Sequence, residues 1–177
     1  MPNAPEPLAF RQRAASYVLR RAPERGAVEV LVILHVDTPE AGVQVPGGGA
    51  LPGETVGEAA VREAREETGA AGLALDEAVG NVLERRPRGG EAFQVSTYCL
   101  LSTAETRDAW EHEVSSHDDD GGLRFRCEFR PVDSAGIDWG MDRFLALAAE
   151  RFAAGRAAPG GPGPGVRIEP EPLRKFR

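Results

Sequence analysis

The chain has 177 residues, with 21 Lys and Arg against 28 Asp and Glu, a formal net charge of −7. That length suits one domain with tails, and the acidic balance argues against a generic nucleic-acid or anionic-membrane binder, which needs a basic field. Its 21 Gly and 14 Pro exceed the usual share, so the surplus is expected to be concentrated in particular segments. Cys99 and Cys127 lack any CxxC partner, which argues against a disulfide scaffold or a thiolate zinc site. No basic start with a long apolar run opens the chain, and no stretch has the length of a membrane span. The expectation is a cytoplasmic protein without membrane association.

Residues 1–9 carry three prolines and read as a flexible arm before a domain at 10–154. Ala14–Arg21 and Val28–Val36 read as strands around a turn at Pro23–Gly26, the second too continuously apolar for an edge strand. Val43–Val45 is a short strand feeding Pro46-Gly47-Gly48-Gly49, and a helix follows from about Thr55 to Thr68 with Gly69 as C-cap. Val79–Arg85 and Phe93–Leu101 flank a hairpin signal at Pro87–Gly90. Glu111–Val114 and Leu123–Phe129 flank a second, acidic one. A last helix is predicted from about Gly140 to Ala153, with Phe144, Leu145, Ala148 and Phe152 on one stripe. Residues 155–177 form a Gly/Pro-rich linker and a basic tail that ends in Arg174, Lys175 and Arg177.

The first helix has carboxylates on its inward side. With Val56 at zero and about 100° per residue, Ala60, Ala64 and Ala59 centre the apolar face close to Val56. On the same count Glu63 falls near about 340°, Glu67 near about 20° and Glu66 near about 280°. Glu58, Arg65 and Val61 point away, and Glu58 pairs with Arg62 at i,i+4 on the flank. Clustered Glu on a helix ordinarily reads as a solvated acidic face, but Glu63 and Glu67 are like charges in the inward stripe, which argues against that reading. Arg62 reaches Glu66 but cannot neutralise three acids, whereas a hard divalent cation can.

The surrounding residues run Gly48, five residues, Glu54, seven residues, Arg62-Glu63-Ala64, one residue, Glu66-Glu67, one residue, Gly69-Ala70. This spacing resembles the Nudix box, the signature of Nudix hydrolases such as the MutT-type pyrophosphohydrolases. Seven fixed identities match, a coincidence on the order of once in 10⁸ start positions at about 7% usage per residue type. The resemblance implies an α/β fold, a Nudix-type α/β/α sandwich with a central mixed β-sheet and a loop-helix-loop catalytic motif. It also implies a divalent-metal-dependent hydrolase, using Mg²⁺ or Mn²⁺, that cleaves a nucleoside diphosphate linked to another group. By the same resemblance Glu63, Glu66, Glu67 and the Gly48 carbonyl are metal ligands. Arg62 holds the box glutamates in place, Glu54 supports the site just before the helix, and Glu63 or Glu66 is a candidate base. A small nucleotide-type substrate is expected, and a homodimer is allowed for because dimers are common among such proteins.

Outside the box, Arg85, Arg86 and Arg88 are candidates for contacts to substrate phosphates. Glu111 and Glu113 share one face of a strand, so one of them is a candidate for the cleft and for the base. The run Asp118-Asp119-Asp120 reads as a solvated loop. His35, His112 and His117 read as structural or exposed, and Trp110 and Trp139 as core aromatics. Two alternatives stay open: a Nudix domain that senses a ligand without turnover, and an RNA 5′-end pyrophosphohydrolase with the basic clusters as its footprint.

Overall fold

The computed structural model describes residues 9–22, 26–85, 92–115 and 122–155. In chain order these form β1 (Ala9–Arg21), β2 (Val28–His35), β3 (Val43–Gln44), α1 (Val56–Thr68), β4 (Ala74–Arg85), β5 (Ala92–Ser102), β6 (Ala109–Glu113), β7 (Arg124–Pro131) and α2 (Leu145–Ala153). The strands build one sheet in the order β4-β5-β1-β2-β7-β6, with β3 beside β2. β1 and β5 run parallel over Ala9–Leu19, and the other pairs are antiparallel, so the sheet is mixed. The expected arm at residues 1–9 lies outside the described residues as far as 8, and β1 already begins at Ala9.

Two apolar cores explain why β1 and β2 read as nearly continuous hydrophobic runs. Successive side chains alternate between sheet faces. On β2, Leu31 and Ile33 join Ala59, Ala60 and Ala64 of α1, while Val30 and Val32 join Leu145 and Ala148 of α2. On β1, Ala14 and Val18 face α1, and Ala15, Tyr17 and Leu19 face α2. A strand covered by a helix on each side has no polar face. The result is the α/β/α sandwich expected from the sequence.

The detail that positions the site is a split in the sheet. β1 pairs with β2 only at Leu19–Arg21. Beyond that point the chain after β3 takes the place of β2 beside β1. The Ser16 N–H donates to the Pro46 carbonyl at 2.8 Å, Ala14 N–H to Gly48 at 2.9 Å, and Ala50 N–H to Gln12 at 3.0 Å. The glycine loop is thus held as an irregular strand, and its backbone has one fixed course past α1.

Helix α2 starts at Leu145, five residues later than the predicted Gly140. The buried Tyr17 hydroxyl donates to the Met141 carbonyl at 2.7 Å and accepts the Phe144 N–H at 3.3 Å, so those groups are already bound where a first helical turn would need them. Trp139, expected in the core, is 70% exposed at φ +60°, with its indole N–H on the Ala41 carbonyl. Both cysteines are free and buried, and burial pushes each thiol up to about 12. Among the described residues no helix is long and apolar enough to cross a membrane.

Glu105 pins the segment after β5 to the turn after α1. Its carboxylate accepts the N–H groups of Ala71, Thr106 and Arg107 and the Arg107 guanidinium, with only 7% of the residue exposed. The guanidinium, followed by the backbone donors, lowers its carboxyl to about 2. A carboxyl with a depressed folded value stabilises the fold above its ordinary value, and that stability is lost as pH falls through the folded value. Glu105→Gln is therefore expected to cost about 2 kcal/mol at neutral pH. The deficit relative to the unsubstituted chain should shrink between about pH 4.5 and 2. Urea titrations at stepped pH check this, and a deficit independent of pH contradicts it.

Candidate active site

Helix α1 is built as its sequence dictates. Thr55 is the N-cap and forms a reciprocal capping box with Glu58, and Gly69 closes the helix in the left-handed region at φ +60°. Glu58 therefore spends its carboxylate on the Thr55 N–H and hydroxyl at 2.8 and 2.7 Å, not on Arg62 as the i,i+4 spacing suggested. The capping bonds are local and cost less chain ordering than a pair between two long side chains. Ala59, Ala60, Glu63, Ala64, Glu67 and Thr68 are the buried residues of the helix, in agreement with the predicted phase.

Arg62 is the junction of the site. Its Nε and Nη2 grip both oxygens of Glu54 at 2.8 and 3.0 Å. Nη1 donates to Glu63 at 2.9 Å and Glu66 at 3.1 Å, and Nη2 also donates to the Gly49 carbonyl at 2.9 Å. A guanidinium has five N–H donors, and these five acceptors use all of them. The bidentate bond to Arg62 holds the Glu54 carboxyl below its usual range, and the same pairing drives the guanidinium further up. Glu54 also accepts the Leu51 N–H at 2.9 Å, which fixes the turn before the helix.

The glycines of the loop are required by close approach. A Cβ on Gly48 would lie 2.3–2.4 Å from the Glu63 carboxylate, and one on Gly47 would lie 2.3 Å from the Ala14 carbonyl oxygen. The Gly47 N–H donates to Glu67 Oε2 at 2.7 Å. Glu63 and Glu67 are only 8% and 7% exposed, whereas the Glu66 side chain is 26% exposed. Gly48→Ala is expected to displace the Glu63 carboxylate from the loop and cost about 2 kcal/mol, as overpacking does. A thermal melt, together with the affinity for Mg²⁺, checks it.

The end of α1 is fastened from outside the box. Trp110 donates its indole N–H to the Thr68 carbonyl at 2.6 Å, and His112 Nε2 lies 3.0 Å from the Glu66 carbonyl. Arg107 reaches the Gly69 carbonyl at 3.3 Å, and the Cys127 thiol points to the Glu67 carbonyl at 3.9 Å. The last carbonyls of a helix have no partner within it. Here β6, β7 and the loop before β6 supply them. Trp110 and His112 thus have structural roles, and the sequence signal for them is their alternation with Glu111 and Glu113 along β6.

That same alternation corrects the candidates on β6. Trp110 and His112 face α1, so Glu111 and Glu113 lie on the opposite face, exposed and in register with Arg126 and Arg124. The structure does not bring them to the box carboxylates. Arg85 ends the edge strand β4, exposed and in register with Phe93, two strands from β1. Arg86, Arg88, the Asp118–Asp120 run and the basic tail lie outside the described residues.

Carboxylate oxygens and a backbone carbonyl are the donors that hard divalent cations prefer. Glu63 and Glu67 are buried beside the loop, and the Gly48 carbonyl, which has two lone pairs, accepts the Ala14 N–H. Among the described residues, no three acidic, His or Cys side chains are gathered as a ready metal cage. Glu63 and Glu66 are turned instead to Arg62. The donor set fits a hard cation in chemistry and place, with carboxylate bonds to Arg62 as what an ion would compete for.

The family model for the NUDIX domain matches residues 10–148. Bovine diphosphoinositol polyphosphate phosphohydrolase 3-beta is 34% identical over 110 residues, 62% of this chain and 62% of that protein. The human 3-alpha protein is 33% identical over the same length and shares. The chain thus spans about 62% of the length of these curated relatives. Among solved structures, Ap4A hydrolase of C. elegans matches with a TM-score of 0.55 at 19% identity, covering 81% of this chain and 98% of that one. A binary complex of a C. elegans Ap4A hydrolase matches at 0.56 and 20% identity, with 82% and 98% covered. At these identities the likeness is one of fold.

Proposed function

Because the chain belongs to the NUDIX family, whose hydrolases generally use divalent metals, we propose that this site hydrolyses a phosphoanhydride bond of a nucleotide-type substrate. The observation that carries the reading is the pair of glutamates, Glu63 and Glu67, buried against the glycine loop at 8% and 7% exposure. Glu63, Glu66, Glu67 and the Gly48 carbonyl would hold a divalent cation, Mg²⁺ or Mn²⁺. Bound there, the ion would offset charge on the diphosphate and lower the pKa of a water. Arg62 positions Glu63 and Glu66 and keeps them from repelling each other, and Glu54 orients Arg62. Glu66 is the base this reading prefers over Glu63, since its side chain is the more open to water. The attacking water gives its proton to that carboxylate as its oxygen bonds phosphorus and the bridging oxygen departs.

The enzyme reading is favoured over a sensing domain because every box carboxylate is present. Substrate class is tested by a panel of nucleoside triphosphates, dinucleoside polyphosphates, nucleotide-sugars, diphosphoinositol polyphosphates and triphosphate-ended RNA. Each is incubated with Mg²⁺ or Mn²⁺ and scored for released phosphate and product. Release from at least one nucleotide supports the proposal. Release from the inositol class alone would move the substrate to the chemistry of the curated relatives. Binding without release under either metal would make the domain a sensor.

A further inference from the structure

Glu66 and Glu67 sit in the last turn of α1, an unfavourable place for two carboxylates. The final carbonyls of a helix lack intrahelical donors, and the aligned peptide dipoles gather about half a negative charge there. Acidic side chains at that end meet a repulsion that loosens the turn. The capping glycine answers one carbonyl only, its N–H donating to Arg65 at 2.8 Å. The next four carbonyls are each met from elsewhere in the chain. Glu66 has the Ser115 N–H at 3.3 Å and His112 Nε2 at 3.0 Å, and Glu67 has the Cys127 thiol at 3.9 Å. Thr68 has the Trp110 indole N–H at 2.6 Å, and Gly69 the Arg107 guanidinium at 3.3 Å.

The Trp110 bond is the shortest of these and the most firmly braced. The Arg107 guanidinium lies 4.3 Å over the indole ring, and Phe129 packs against it with ring centroids 6.2 Å apart. Arg107 is in turn gripped by both oxygens of buried Glu105, at 2.9 and 2.7 Å. An indole wedged in this way has one direction for its N–H, so it fixes where the Thr68 carbonyl lies. Glu67 is the residue before it. The heads of the same carboxylates are held by a different part of the chain, Glu67 Oε2 by the Gly47 N–H at 2.7 Å and Glu66 by Arg62 at 3.1 Å. The loop and Arg62 thus aim the carboxylates, while β6 and the loop before it hold the backbone they are aimed from.

We propose that Trp110, braced by Arg107, is a positioning residue for the metal site: it holds the last turn of α1 and offsets its negative pole, which keeps Glu66 and Glu67 placed to bind a divalent cation. This rests on the hydrolase reading above. Trp110 acts through the helix backbone and touches neither ion nor substrate. A fixed support under ligating side chains is what a metal site requires for affinity, because a ligand that must be ordered at the moment of binding binds more weakly.

The test uses Trp110→Phe in the full chain, which keeps an aromatic ring under Arg107 and removes the N–H. Mn²⁺ is titrated without substrate and the free ion is read by electron paramagnetic resonance. The variant should bind it about five- to tenfold more weakly, as the loss of one hydrogen bond implies. Hydrogen exchange in EDTA should quicken about tenfold at the Glu67, Thr68 and Gly69 amides and stay unchanged at Ala64. At saturating Mg²⁺, kcat should fall about as much as the Mn²⁺ affinity, while KM moves less than about twofold. Arg107→Lys keeps the charge beside Glu105 but loses the planar face on the indole, so it should show the same losses at about threefold and serves where Trp110→Phe does not fold. Arg126→Gln, exposed on β7, should change none of these. Mn²⁺ affinity of the folded variant equal to that of the unsubstituted chain overturns the positioning role. Exchange that quickens equally along all of α1 also overturns it, since that marks lost stability and not lost position, as does absence of Mn²⁺ binding by the unsubstituted chain. Expected losses of Mn²⁺ affinity in a chain that hydrolyses no phosphoanhydride uphold the positioning role and overturn the hydrolase reading instead.

Discussion

Glu67→Gln is expected to lower Mg²⁺-dependent turnover by at least about a thousandfold, on the order of 4 kcal/mol of barrier, and to leave the fold intact. Glutamine keeps the volume of glutamate and an oxygen to accept the Gly47 N–H, so the contact at 2.7 Å survives. What is lost is a negative charge buried to 7% exposure on the same helical stripe as Glu63. Removing one of two like charges at i,i+4 relieves repulsion, so the melting temperature without metal should hold or rise slightly. Added Mg²⁺ should raise the melting temperature of the unsubstituted chain, as any ligand of the folded state does, and raise that of the variant less. Phosphate release and paired melts with and without Mg²⁺ decide the matter. Turnover equal to that of the unsubstituted chain would remove Glu67 from the catalytic machinery.

Arg62→Lys is expected to keep the charge and still fail. An ammonium has three donors in place of a planar five, so it cannot span Glu54, Glu63, Glu66 and the Gly49 carbonyl together. Turnover should fall by about two orders of magnitude, with about 2 kcal/mol of stability lost. Arg62→Ala should cost more, about 3–5 kcal/mol, because buried Glu63 and half-buried Glu54 and Glu66 are left without the cation that joins them. The sign of its pH dependence follows from Glu54. Arg62 holds that carboxyl below its usual value, so the stabilisation is present above about pH 4.5 and lost as the pH falls below it. The gap between Arg62→Ala and the unsubstituted chain should therefore narrow in acid, which chemical denaturation at pH 7 and pH 4 measures. An unchanged gap would mean that Arg62 matters only as packing.

Much of the site was legible because its signals are local. A period of 3.6 places Glu63 and Glu67 with Ala60 and Ala64, and burial follows that phase. Thr55 and Gly69 bound the helix by capping chemistry that operates within one turn. The apolar runs of β1 and β2 announce a sheet covered on both faces. None of this needs a distant residue.

What escaped the sequence depended on contacts between distant segments. Glu111 and Glu113 do share a strand face, yet which face meets α1 is set by the register of β6 on β7, which puts Trp110 and His112 opposite the buried Cys127 and Phe125. The start of α2 is decided by the Tyr17 hydroxyl, more than a hundred residues away. The i,i+4 spacing offers Arg62 both Glu58 and Glu66, whereas the loop brings Glu54 and the Gly49 carbonyl within its reach and Glu58 stays with its cap. The sequence by itself determined the box, its helix and the inward phase of its carboxylates, since backbone periodicity and capping act over a few residues. Only the tertiary structure decided what those carboxylates touch and which distant groups hold the end of their helix. The physical reason is that the split between β1 and β2 admits Pro46–Ala50 into the sheet beside the carboxylates, and the register of β6 on β7 turns Trp110 and His112 toward α1.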